Sequence, residues 1–201
     1  MERREALKLL TYAAAFPLFS APAFSLFQAV HERLPEAAAL KTLDPHQNTT
    51  VTAISELIIP QTDTPGAKEA RVNEFIDVIL SEWYDEAEKS RFLAGLAEVD
   101  ERSCKRFGKD FVECEKKEQT EVLTALDEEL ATVLQASEGL SHAQISQLGP
   151  ALRPEEHFFY MMKQLTLVGY CTSEVGFKQE LHEHIIPPRH AACAPVEGAA
   201  K

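Results

Sequence analysis

The chain has 201 residues, 45% hydrophobic and 26% charged, the balance of a soluble globular protein with one ordinary core. Lys and Arg number 20 against 32 Asp and Glu, and the resulting net charge of −12 repels phosphate backbones and argues against nucleic-acid binding. With 8 glycines and 11 prolines the chain is neither collagen-like nor low-complexity, and it contains no G-x-G-x-x-G or G-x-x-x-x-G-K-[ST] cradle for a nucleotide.

Residues 1–30 read as an export signal. A basic head is followed by an uncharged stretch from Leu9 through Val30. Arg3 and Arg4, with Leu7 and Lys8 behind them, resemble the twin-arginine motif used for folded export, although Glu2 and Ala6 depart from its consensus. Ala21-Pro22-Ala23 offers a small-x-small cleavage site. An uncleaved membrane anchor and a buried first helix are the competing readings. Against the anchor stand Thr11, Pro17, Ser20, Pro22 and Ser25, which dilute the apolar stretch.

Residues 31–48 shift toward Pro, Ala, Asp and Asn and are expected to form a linker. Val51, Ile54, Leu57 and Ile58 then share one helical face, with Thr49 or Thr50 as cap and Pro60 as stop. In the segment 61–66, Pro65-Gly66 fits the centre of a type II turn and Asp63 can close an Asx-turn. A helix over 73–84 follows, with Phe75, Ile76, Ile79, Leu80 and Trp83 on one face and Asn73 as cap. Phe92, Leu93, Leu96, Val99 and Phe107 predict a third helix ending near Gly108, and Val122 to Leu134 a fourth over 118–135. Residues 137–152 read as a loop. Pro154 is expected to open a strongly apolar helix through Tyr170, with a short last element between Ser173 and His184. The expected architecture is all-α: a single domain of about five helices over 49–186, after the signal and linker, with a proline-rich flexible tail over 187–201.

Candidate chemistry is sparse. Cys104, Cys114, Cys171 and Cys193 form no C-x-x-C, so zinc-ribbon and thioredoxin-type readings lack support. An oxidising compartment permits disulfides: Cys104–Cys114 would close a helix-to-loop corner, and Cys171–Cys193 would pin the tail. Free thiols fit the sequence equally well. His182, His184 and His190 cluster near Cys193, but imidazoles two apart do not share a helix face, and solvated tail histidines are the simpler reading. Neither Glu-x-x-His nor H-E-x-x-H occurs. No nucleophile–base pair is evident, and no catalysis by this chain alone is expected.

Three stretches carry a family resemblance: the signal with Arg3-Arg4; residues 54–67 running into 72–77; and residues 158–176. With the tail from Pro187 to Cys193, they resemble the gluconate 2-dehydrogenase subunit 3 family, the small subunits of membrane-associated flavin dehydrogenases. The resemblance implies a non-catalytic, periplasmic partner with no cofactor of its own. FAD would reside in a large oxidoreductase subunit of the glucose–methanol–choline type, and a cytochrome c subunit often takes the electrons. That large subunit would cross the membrane folded, bound to the small one, through the twin-arginine export machinery. The apolar surplus at Phe158, Phe159, Met161, Met162, Leu165 and Val168 is a candidate surface for this partner, with a central helix buried on all sides as the alternative. A second reading is a free-standing exported metal-binding or adaptor protein that uses His182, His184, His190 and Cys193.

Overall fold

Asp44 starts the first helix. In the computed structural model, which describes residues 40–181 apart from Ser141, Ser146, Leu148, Pro150 and Ala151, its carboxylate accepts from Gln47 N at 2.8 Å. The Gln47 side chain accepts from Asp44 N in return, a reciprocal box that satisfies two orphan amides. Helix α1 (Pro45–Ile58) therefore begins inside the stretch expected to be linker, and neither Thr49 nor Thr50 is its cap. Both threonines instead donate to carbonyls one turn back.

Helix α2 (Val72–Glu82) is capped by neither Asn73 nor any other side chain. Arg71 precedes it in the left-handed region at φ 54°, paired with Glu74, and the Asn73 amide reaches across to Asn48 of α1 at 2.8 Å. Helix α3 (Glu86–Phe107) opens with a box between Asp85 and Glu88 and stops at Gly108, whose φ of 73° suits glycine. A short 3₁₀ turn (Phe111–Glu113) leads into α4 (Lys116–Ser137), which returns antiparallel to α3. Arg102 of α3 clamps Glu98 and Glu129, and Arg106 meets Glu121. The region expected to be loop holds a four-residue helix, α5 (His142–Ile145).

Pro154 opens a 3₁₀ turn (Pro154–Glu156) rather than the long helix itself. His157 then caps α6 (Phe158–Thr172), its Nδ1 accepting from Phe159 N at 3.2 Å. A π-helical turn (Gly176–Glu180) completes the described chain. The fold is an all-α single domain; among the described residues there is no strand, and the domain is built on five long helices and the short α5.

Helix α6 lies at the centre and packs against α1, α2, α3 and α4. Its Met162 and Tyr170 are fully buried among Phe75, Phe92, Ile54 and Leu96, and Phe158 meets Phe92 edge-on with ring centroids 5.4 Å apart. No helix among the described residues is long and apolar enough to cross a membrane.

Candidate functional site

The loop from α1 to α2 is held by one carboxylate. Glu56 Oε1 accepts from Gln61 N at 2.8 Å and its Oε2 from Lys68 N at 2.9 Å, so both ends of the loop close on the same side chain. Ala67 N donates to Ile59 O at 2.9 Å, and Thr62 N to Thr64 O at 3.0 Å. Asp63 accepts from the Thr62 hydroxyl at 2.9 Å.

Gly66 is needed for space, not for a left-handed backbone. Gly108 and Gly139 are the positive-φ glycines among the described residues, so the expected type II geometry at Pro65-Gly66 does not form. A Cβ at Gly66 would lie 2.5 Å from both Glu56 carboxylate oxygens and 2.6 Å from Gln61 N. The glycine lets the carboxylate reach the backbone.

From this buckle the loop is tied to α6 and the π-helical turn. The Tyr170 hydroxyl donates to Pro65 O at 2.8 Å, and Thr64 Oγ1 donates to the nearly buried Glu180 carboxylate at 2.6 Å. Gly176 lies so close to α6 that a Cβ there would stand 2.0 Å from Tyr170 O, and its amide donates to Ser173 Oγ at 3.0 Å. Thr166 of α6 reaches Ser55 of α1 at 3.5 Å.

Asp77 of α2 is 2% exposed and receives three successive backbone amides, Lys41 N, Thr42 N and Leu43 N, at 2.7–2.9 Å. That anchor fixes how the chain enters the bundle. The sequence blocks 54–67, 72–77 and 158–176 thus form one continuous junction. Glu56, Asp77, Tyr170 and Glu180 were not singled out from the sequence. The signal was there for two of them, because Glu56 and Asp77 are single carboxylates inside the apolar runs 54–59 and 75–80.

The profile of the gluconate 2-dehydrogenase subunit 3 family matches residues 45–187. The chain belongs to that family. Its matched span covers the whole junction and every long helix among the described residues. Comparison with curated proteins and with solved structures returned no match.

The candidate partner surface on α6 is corrected by burial. Phe158, Phe159, Met161, Met162 and Leu165 are all buried in the family member's own core, and Val168 is half-buried against it. Four neighbouring helices consume the surplus that one would leave over.

The cysteines are also settled in part. Cys104, Cys114 and Cys171 are free thiols, so the Cys104–Cys114 closure is not formed. Cys104 donates to Asp110 Oδ1 at 3.3 Å, and this bond to a carboxylate raises its pKa. Burial, with help from Glu180, pushes the Cys171 thiol up to about 11, which keeps it protonated and unreactive. Arg3, Arg4, Leu7, Lys8, His182, His184, His190 and Cys193 lie outside the described residues. Among the described residues no group of His, Cys, Asp or Glu stands where it could hold a metal ion.

One open groove, of about 270 Å³, runs between α1, α4 and α6. Leu57, Ile58, Leu123, Phe159 and Leu167 form its apolar floor, and the Lys163–Asp127 ion pair crosses its rim.

Proposed function

We propose that this chain is the accessory small subunit of a flavin-dependent dehydrogenase of the gluconate 2-dehydrogenase kind, carrying the export signal on behalf of a large FAD-binding subunit. The observation that carries the reading is membership of a family of dehydrogenase subunits across residues 45–187, which implies a complex with other subunits. The arrangement of the described residues agrees with a scaffolding role. The half-buried Glu56 and the buried Asp77 receive backbone amides and so brace loops. In this reading Arg3-Arg4 direct folded export to the periplasm. The large subunit crosses the membrane bound to this chain, and electrons pass from its flavin to an acceptor such as a cytochrome c.

The test replaces Arg3 and Arg4 with Lys in cells that also produce the large subunit. Both proteins should then remain in the cytoplasm, and periplasmic dehydrogenase activity should disappear. Normal periplasmic activity in that double variant would refute the escort role.

A further inference from the structure

We propose that the end of the bundle around Trp83 docks the large flavin-binding subunit, which meets it with an apolar pocket rimmed by basic residues. The proposal rests on the small-subunit reading above and supplies the exposed face that α6 lacks. Trp83, the chain's one tryptophan, falls by spacing on the apolar side of α2. The helix stops at Glu82, however, and Trp83 departs from it at φ −119°, 49% exposed. Tyr84 beside it is half-buried against the core. A tryptophan held at such a corner offers a large, stiff ring, the kind of side chain that anchors an interface.

Three ion pairs fix what shares this end. Arg102–Glu129 and Arg106–Glu121 hold α3 and α4 antiparallel, so the start of α3 and the end of α4 point the same way. Arg91 of α3 meets Glu156 at 3.0 Å and brings the turn before α6 to that end as well. Leu134, in the last turn of α4, and Leu152, two residues before Pro154, are both exposed there. Of the large exposed apolar side chains among the described residues, Leu181 alone stands at the far end, next to Glu180 and its bond to Thr64.

Charge selects the occupant. Residues 82–88 carry four carboxylates, Glu82, Asp85, Glu86 and Glu88, and no lysine or arginine. Lys41 pairs with Glu82 and Lys89 with Glu86, which still leaves the corner net negative. A second copy would set like charge against like across a two-fold axis, and an anionic lipid surface would be repelled in the same way. A protein with lysines or arginines around an apolar pocket complements both the ring and the carboxylates.

The experiment co-produces the full-length chain with the large subunit and measures how tightly the two associate. Trp83→Ser should leave the melting temperature unchanged and weaken association about tenfold. Glu86→Lys, at a side chain 92% exposed, should weaken it severalfold and flatten its salt dependence. Leu181→Ser, at the far end, should leave it unaltered. Undiminished association of the Trp83 and Glu86 variants, with the native chain still bound, would overturn the docking face and leave the subunit reading standing. No association of the native chain would overturn both. Should Trp83→Ser lose its fold, Glu86→Lys decides alone. The lone full-length monomer gives a second readout, because its tryptophan emission comes from Trp83 only. Acrylamide should quench that emission readily, and caesium should quench it more strongly than iodide. Shielded emission would mean that other residues of the chain or a second copy cover Trp83, and would overturn the proposal equally.

Discussion

Glu56 and Gly66 work as a pair at the residue scale. The carboxylate takes one backbone amide from each end of the loop, and the glycine leaves it the room to do so. Gly66→Ala should cost about 1 kcal/mol, because the added methyl displaces the carboxylate and hands both exposed donors to water. Glu56→Ala should cost a similar amount, and the double variant should cost clearly less than the two together, since each removes the same bonds. Thermal unfolding of the three variants tests the coupling; full additivity would separate the two residues. Asp77 is the simpler case. Asp77→Asn keeps the shape and removes a charge that receives three amides, and should lower stability by about 1–3 kcal/mol by the same measurement.

At the scale of elements, α6 is the axis, and its start depends on a titratable group. Burial lowers the pKa of His157, so the unfolded chain binds its proton more readily than the folded one. The cap's contribution is therefore present above the ordinary value of 6.5 and is lost as pH falls below it. His46 opposes this. Its bond to Asp100 raises its pKa, so its contribution is present below 6.5 and fades as pH rises through the elevated value. His157→Asn replaces the capping Nδ1 by an amide oxygen, which caps without titrating. Between about pH 7.5 and 5.5 the melting temperature of that variant should fall less than that of the native chain. Equal slopes would show that His157 does not titrate against the fold. Burial of the helix gives a further expectation. Met162→Gln should unfold the isolated chain, and no single polar substitution at Phe158, Phe159, Met161, Met162 or Leu165 should abolish partner co-purification while leaving the fold intact.

For the whole molecule, the bundle closes at Leu43 and Asp44, well ahead of the boundary read at residue 49. The chain enters through three amides bound to Asp77 and then through the α1 cap. A version starting at Pro45 should melt measurably lower than one starting at Leu40, by about 2 kcal/mol or more, because it leaves a buried carboxylate without its donors. Indistinguishable melting curves would show that the anchor contributes nothing.

Much of the fold was legible because helix periodicity is local. The spacing of Phe75, Ile76, Ile79 and Leu80, the run from Phe92 to Phe107 with its glycine stop, and the apolar stretch after Pro154 each place a helix from neighbours in sequence. Family membership was legible for the same reason, in short contiguous blocks. The caps were less so. Asp44 displaced Thr49 and Thr50 because Asp44 and Gln47 form a reciprocal box five residues ahead of Thr49, with Pro45 at the first helical position, and Arg71 took a left-handed conformation that no local preference predicts for it. Which apolar face of α6 meets the core had no local answer, since apolar residues surround more than one face of that helix and only the arrival of four neighbours decides. The same holds for Gly66. Its sequence context suggests a turn, but its real constraint is a carboxylate ten residues away, brought within 2.5 Å by the return of the loop over the end of α1. Periodicity and local blocks belong to the chain; buried carboxylates, their donors and the partners of an apolar face exist only once distant segments are packed together.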